Sequence, residues 1–246
     1  MPNLMVNKLT DDIYIFTIYL DKAKLSINAF LILDENPTLV ETGTPLMGKL
    51  LAEEIEKMIG NVPNIFVTHE HIDHLGGIQH IVEYFYDANI FIHQHIKVQL
   101  SFMGIYGNIQ LLKGGDRIKI GKREIITFYT PIETHGSVVY LLEPDGIIFT
   151  GDYFGQLYDD EWKLRFDGDT QYLIKKIIKF HEGLGYTTNE VKKYLGFLKK
   201  KRVNIIAPSH GVIIDRDVSR VVDKVINAKL KSERKGSLWL RIFGGF

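Results

Sequence analysis

Four side chains of the kinds that bind metal ions lie within six positions of the stretch Thr68-His69-Glu70-His71-Ile72-Asp73-His74-Leu75-Gly76-Gly77. In an extended chain, His69 and His71 face the same side, because residues two apart share one face of a strand. Asp73 and His74 follow where the chain turns toward a predicted helix, so their side chains reach a neighbouring position. A continuous helix would scatter the four side chains around its surface. The pattern therefore predicts two adjacent metal ions rather than one.

Three more candidate ligands lie further along the chain, in Glu133-Thr134-His135-Gly136-Ser137, Thr150-Gly151-Asp152 and Pro208-Ser209-His210-Gly211. Each follows an apolar strand or stands at a turn beside one, and strand ends that converge on one sheet edge form a cleft. An aspartate between two cations can coordinate both. Neutral imidazole suits zinc, iron, copper and nickel, and the chain has no cysteine to supply sulfur. The predicted metal ligands are His69, His71, Asp73, His74, His135, Asp152 and His210.

Composition narrows the function classes. The 246 residues are 45% hydrophobic and 24% charged, which is ordinary for a globular protein. The formal net charge of zero argues against a nucleic-acid partner. The absence of cysteine excludes disulfides, iron–sulfur clusters and a thiol nucleophile. No signal peptide and no apolar run of about 18 residues is evident, so we expect a cytoplasmic protein without a membrane partner.

Strand-like and helix-like segments alternate along the chain. The predicted strands are 13–20, 28–33, 38–41, 64–68, 90–93, 117–120, 123–128, 138–142, 146–150 and 203–207. The predicted helices are 47–58, 76–86, 170–181, 189–199 and 215–231. Two groups of strands with interleaved helices predict an α/β fold in which two packed sheets are covered outside by helices. We expect one such domain over residues 1–246.

With these motifs, the chain resembles the metallo-β-lactamase superfamily, whose hallmark is His-x-His-x-Asp-His followed here by Leu75-Gly76-Gly77. The resemblance covers nearly the whole chain. It implies an αββα sandwich of two mixed sheets with the metals at one edge. It also implies one ion bound by His69, His71 and His135, a second bound by Asp73, His74 and His210, and Asp152 bridging the two.

Within the superfamily, residues 140–145, 148–155 and 205–213 resemble the β-lactamase-like domain of flavodiiron proteins, the oxygen and nitric oxide reductases. The segment 158–161 also fits that group. Two features depart from it. His71 stands where those proteins usually have glutamate, and no flavodoxin-like domain or glycine-rich dinucleotide fingerprint follows. We therefore expect no flavin in this chain, which looks most like stand-alone, histidine-substituted oxygen-binding di-iron proteins.

The substitution at His71 suggests a function. With Asp73 and Asp152 as the anionic ligands, the site would stabilise a high oxidation state less than a site with an added glutamate. We expect two iron ions, with zinc or manganese as alternatives, that bind dioxygen but resist reducing it fully without an electron partner. Such a protein would act as an oxygen or iron sensor, or as an oxygen-reactive protein fed by a partner. Flavodiiron relatives pair head to tail, so a homodimer is a further candidate.

Two alternatives remain open. A binuclear zinc site could lower the pKa of a bridging water to about 7 and hydrolyse a thioester or lactone. A signalling module could instead report the metal or oxygen state to a protein partner through the hydrophobic tail 239–246.

Several residues are candidates to support the site. Metal-bound histidines usually donate their second N–H to a carboxylate or carbonyl. The candidate carboxylates are Glu70, Asp116 and Asp159. Tyr153 and Tyr158 could hydrogen-bond a bound small molecule or pack at the rim, and Asn28 and Thr42 lie at strand ends that face the expected cleft.

Overall fold

The computed structural model describes residues 3–157 and 163–231. Within these ranges, two sheets form, one of seven strands and one of five. The seven-stranded sheet runs in chain order through β1 (Met5–Lys8), β2 (Ile13–Leu20), β3 (Leu25–Ile32), β4 (Thr38–Val40), β5 (Asn64–Phe66), β6 (Asn89–His93) and β7 (Asn108–Leu112). It is antiparallel from β1 to β4 and parallel from β4 to β7.

The five-stranded sheet has the order β12-β11-β10-β9-β8. Its strands are β8 (Arg117–Lys119), β9 (Glu124–Tyr129), β10 (Val138–Glu143), β11 (Ile147–Phe149) and β12 (Ile205–Ala207). They pair antiparallel except for β11 and β12, which are parallel. The helices are α1 (Pro45–Ile59), α2 (Ile72–Leu75), α3 (Ile78–Tyr84), α4 (Lys97–Phe102), α5 (Thr170–Leu184), α6 (Thr188–Leu195) and α7 (Val218–Ile226).

Three hydrophobic layers hold the sheets and helices together. Alternate residues of β3 show the arrangement: Ala29 and Leu31 pack toward the helices, whereas Phe30 and Ile32 pack between the sheets. The inner layer includes contacts such as Phe30 on Phe149, with ring centroids 5.0 Å apart. Helices α1 and α3 cover the larger sheet, and α5, α6 and α7 cover the smaller one. The expected αββα sandwich is confirmed.

The structure differs from the predicted elements in a few places. The predicted helix 76–86 is the shorter helix α3, and an additional four-residue helix, α2, precedes it where the sequence predicted a turn, with Gly76 and Gly77 between the two. A Cβ atom on Gly77 would lie 2.1 Å from the carbonyl oxygen of Thr42, so only glycine lets the chain pass this close. The sequence did not predict β1 and β7, which are the two edges of the larger sheet, or the six-residue helix α4.

Some expectations fall on residues 158–162 and 232–246, which lie outside the described ranges. They concern the segment 158–161 with Tyr158 and Asp159, and the tail 239–246. In the described part of the chain, no helix combines the length and the apolar character needed to cross a membrane.

Candidate metal centre

The predicted ligands come from loops at one edge of both sheets. His69 and His71 lie in the loop after β5, and Asp73 and His74 lie on the short helix α2. Asp152 follows β11 and His210 follows β12. The smaller sheet approaches the larger one closely here. Gly151, with φ of +56°, would place a Cβ atom 2.8 Å from the hydroxyl oxygen of Thr68, which explains the glycine directly before the aspartate.

Six of the seven predicted ligands come together in two adjacent groups. The ligand atoms of each group lie within 4.8 Å of one another. The first group is His69, His71 and Asp152, and the second is Asp73, His74 and His210.

Asp152 stands between the two groups. Its Oδ1 lies 2.9 Å from Nε2 of His74 and 3.3 Å from Nε2 of His210, both in the second group. Its Oδ2 lies 3.9 Å from Nε2 of His69 in the first group. One carboxylate oxygen therefore faces each group, which is the arrangement that a bridging aspartate needs.

The seventh predicted ligand, His135, is not brought into either group. Its side chain is exposed, and its carbonyl oxygen accepts a hydrogen bond from the Tyr129 hydroxyl at 3.1 Å. Two residues earlier, Glu133 turns inward instead. Its side chain is only 7% exposed, and its Oε1 lies 3.5 Å from Nδ1 of His71. The loop therefore presents a carboxylate, not an imidazole, to the first group.

Tyr153 fixes the loop that carries Glu133. Its hydroxyl donates to the carbonyl of Thr130 and accepts from the backbone N–H groups of Ile132 at 3.3 Å and Glu133 at 3.4 Å. Of the two roles considered for this tyrosine, the structure shows its hydroxyl bound within the protein.

Glu41, which no motif in the sequence predicted as a site residue, lies next to the metal-binding residue His74. It is 1% exposed and follows β4 directly. Its carboxylate accepts hydrogen bonds from the hydroxyl groups of Thr68 and Ser209, and its Oε1 lies 3.1 Å from Nδ1 of His74. A carboxylate held at Nδ1 leaves Nε2 of that imidazole as the metal-facing nitrogen. The signal in the sequence was a charged residue immediately after an apolar strand.

A backbone carbonyl orients His210 in the same way, because its Nδ1 lies 2.8 Å from the carbonyl oxygen of Ser26. Two of the three carboxylates that we expected in such roles are used elsewhere, and the third, Asp159, lies outside the described residues. Glu70 accepts a hydrogen bond from the Thr134 hydroxyl at 2.6 Å, and Asp116 accepts from the backbone N–H groups of Lys113 and Gly114.

Two residues expected at strand ends, Asn28 and Thr42, do support the site, although Asn28 lies within β3 and not at its end. Asn28 donates to the carbonyl of Pro208 at 2.9 Å, close to the loop that carries His210. Thr42 donates to the carbonyl of His74 at 2.7 Å.

The electrostatics of the site are dominated by buried charge. Burial lowers the pKa of His69 well below its usual value. Burial would also lower the pKa of His210, but the carboxylates of Asp152 and Asp73 raise it to about 10. The pKa of His74 is raised well above its usual value, because Asp73, Glu41 and Asp152 outweigh its burial. The carboxylates that hold protons on these two imidazoles would also stabilise metal cations in place of the protons.

The donor set fits a pair of metal ions. It offers imidazole nitrogens and carboxylate oxygens and, with no cysteine in the chain, no sulfur. Both carboxylate oxygens of Asp73 and of Asp152 are buried and none accepts a hydrogen bond of good geometry from the described residues. Buried carboxylates need positive charge beside them, which protonated imidazoles or metal ions can supply. This chemistry suits iron, zinc or manganese.

Comparison with known proteins places the chain in a family. The model of the metallo-beta-lactamase superfamily matches residues 24–210. The chain belongs to the metallo-β-lactamase superfamily, which confirms the resemblance seen in its motifs.

Among its relatives is the anaerobic nitric oxide reductase flavorubredoxin of Vibrio vulnificus, 22% identical over 217 residues, which cover 82% of this chain and 42% of the relative. The hydroxyacylglutathione hydrolase of Buchnera aphidicola is 35% identical over 109 residues, which cover 44% of this chain and 40% of the relative. The chain thus aligns with less than half the length of these two curated relatives.

The fold is similar to that of a variant flavo di-iron protein from Thermotoga maritima, with a TM-score of 0.81 and 20% identity. The match covers 92% of this chain and 62% of that one. This likeness establishes the fold and confirms the expected similarity to the β-lactamase-like domain of flavodiiron proteins.

Proposed function

We propose that this protein holds two iron ions at the paired groups and uses them to bind dioxygen, as an oxygen or iron sensor or as an oxygen-reactive protein supplied with electrons by a partner. The observation that carries the proposal is Asp152, whose two carboxylate oxygens face different groups. A pair of iron ions held there would supply electrons and open coordination positions for a small diatomic ligand. The similarity to a flavo di-iron protein supports iron over the other metals.

Within this proposal, His69 and His71 hold one ion, Asp73, His74 and His210 hold the other, and Asp152 bridges them. Glu133 takes the place that the superfamily resemblance assigned to His135. Its carboxylate is buried beside His71, whereas the His135 side chain is exposed. The flavodiiron site usually has a glutamate at the position of His71. Relative to that site, histidine and glutamate have exchanged positions in this chain, and neither residue type is lost. The ligand set then carries three carboxylates, Asp73, Asp152 and Glu133.

With this exchange, the ligand set carries more negative charge than the sequence predicted. A centre with only two carboxylates would stabilise a high oxidation state poorly, whereas the third carboxylate restores the negative charge that His71 removed. A difference from flavodiiron sites in the reaction with oxygen must then come from the position of the third carboxylate and not from the loss of one. Slow onward reduction would follow from the supply of electrons, which we assign to a partner protein.

Metal titration of matched variants tests the ligand assignment. Glu133→Ala should weaken the binding of one of two ions at least about tenfold, because loss of even an outer partner of a ligand costs 10–100-fold. His135→Ala should leave both affinities unchanged. Equal weakening in the two variants, or weakening in His135→Ala alone, would restore the original seven-residue set.

Oxygen binding is tested on the metal-free protein loaded with ferrous iron under anaerobic conditions. Admission of oxygen should produce a long-lived visible absorption band that requires both iron and oxygen. If no band forms and the protein prefers zinc, the second candidate gains support.

That second candidate is a binuclear zinc hydrolase of thioesters or lactones. It is supported by the similarity to hydroxyacylglutathione hydrolase over 109 residues. Turnover of a thioester by the zinc-loaded protein, lost in Asp152→Asn, would favour it over the oxygen-binding proposal.

A further inference from the structure

A buried histidine outside the two ligand groups has no structural use for its polar atoms. His181, near the end of α5, is fully buried, and neither ring nitrogen forms a hydrogen bond with any described residue. Burial lowers its pKa to about 3, so the ring is neutral and offers one N–H donor and one acceptor nitrogen. Buried polar groups are normally paired, so a site of this kind needs an explanation.

His181 belongs to a polar cluster beside the metal-binding residues. Its ring centroid lies 5.1 Å from that of Tyr186, which is 5.7 Å from that of Tyr153, the neighbour of Asp152. The charge of Asp152 acts on His181. Burial, together with the charges of Glu133 and Asp152, raises the pKa of Tyr186 well above its usual value. The preceding residue, Phe180, lies 6.2 Å from the ring of His210.

We propose that His181 hydrogen-bonds the small electron-rich ligand that occupies the open position of the metal pair, and that Tyr186 positions Glu133 beside it. The proposal rests on the proposed function, because it requires metals at the two groups. The available donor is the imidazole N–H of His181, because the Tyr186 side chain hydrogen-bonds Glu133. The two residues belong to one turn, since the backbone N–H of Tyr186 donates to the carbonyl of His181 at 3.0 Å. A ligand held between the metals and this N–H donor is a dioxygen-derived or other small anion.

A buried histidine with a purely structural role forms hydrogen bonds with the protein itself, as His93 does. His93 is also buried and stacks on Tyr129 with ring centroids 4.4 Å apart, but its Nδ1 accepts a hydrogen bond from the backbone N–H of His95 at 3.4 Å. This histidine completes a turn. His181 completes none among the described residues, so an apolar side chain of similar shape would pack there with less cost to the fold.

The test uses the ferric-iron-loaded protein with azide as the probe and follows the visible charge-transfer band. His181→Phe should raise the azide Kd about tenfold, the loss expected for one hydrogen bond to a charged ligand. Tyr186→Phe should raise it less, about threefold. His181→Asn, which keeps a donor and an acceptor, should recover most of the affinity. His93→Phe is the matched control and should leave the azide Kd unchanged.

Two further measurements separate the explanations. Metal analysis should give two ions per chain in the wild type and in each variant. Fewer ions in His181→Phe alone would make His181 a metal ligand and overturn the proposal, whereas fewer than two in the wild type would overturn the proposed function itself.

Thermal unfolding of the metal-free protein should show Tm raised by a few degrees in His181→Phe, because unpaired polar atoms are removed. If the azide Kd is unchanged in both single variants, Tyr186→Phe and His181→Phe, the proposal is overturned. If His181→Phe does not fold, His181→Leu takes its place, and an unchanged azide Kd in His181→Leu and in Tyr186→Phe overturns the proposal.

Discussion

Carboxylates gather at both ends of the sandwich, but different groups balance their charge. At the end of β3 away from the metal-binding residues, Arg123 contacts Asp12 at 2.8 Å, Asp145 at 2.7 Å and Asp34 at 3.5 Å. At the other end, the ion-pair partners found for Asp73 and Asp152 among the described residues are histidines.

The difference separates a structural ion-pair cluster from a binding site. A guanidinium stays protonated at any ordinary pH, so the far cluster is complete in the chain itself. An imidazole can lose its proton, and metal binding to such ligands releases protons. The metal end is therefore built to exchange its positive charge, and the far end is built to keep it.

The largest effect is expected when the carboxylate between the two groups is neutralised. Asp152→Asn should weaken metal binding by at least about a hundredfold, because it removes a ligand, and loss of an outer partner alone costs 10–100-fold. Isothermal titration of the metal-free protein measures this. Asp167→Asn, at an exposed pair with Lys163, is the control and should bind metal as the wild type does. Wild-type affinity in Asp152→Asn would remove the distinction between the two ends.

At the far cluster, removal of the positive charge of Arg123 should affect stability and not metal binding. Arg123→Met should lower the free energy of unfolding by about 2 kcal/mol, between the values for surface and buried pairs, because Asp34 is 3% exposed and Arg123 is 17% exposed. Denaturant unfolding measures the loss, and metal affinity should not change. Arg117→Met, at an exposed pair with Glu124, should alter stability little. A change in metal affinity in Arg123→Met would show that the two ends are coupled.

A smaller effect is expected at Glu41. Glu41→Gln keeps the shape but weakens the acceptor at Nδ1 of His74, so affinity for the ion at the second group should fall about tenfold. A chelator competition assay measures this against Glu35→Gln, an exposed control. Unchanged affinity would limit Glu41 to holding Thr68 and Ser209.

The smallest effect is a pH dependence at His181. Its folded pKa of about 3 lies below the ordinary value of 6.5, so the unfolded chain takes up a proton that the folded chain does not. Stability from the neutral ring is present above pH 6.5 and is lost as pH falls toward 3. In metal-free protein, the Tm difference between His181→Phe and wild type should therefore grow between pH 6.5 and pH 4, roughly. A constant difference would contradict the buried neutral state.

Local patterns in the sequence determined much of this protein. The spacing of His69, His71, Asp73 and His74 predicted two adjacent groups, and apolar runs predicted most strands, including β2 with its exact bounds. These features depend on neighbours in the chain, since strand periodicity and turn residues act over a few positions.

Tertiary structure alone decided which further residues lie at the candidate site. Glu133 and His135 are two apart in one loop, and only the hydrogen bonds of Tyr153 to that loop, together with the approach of His71, show that the glutamate faces inward. Glu41 and His181 likewise become significant through residues more than 25 positions away, because Thr68 hydrogen-bonds Glu41 and the charge of Asp152 acts on His181. Burial and charge depend on such distant neighbours, which no local pattern in a single sequence records.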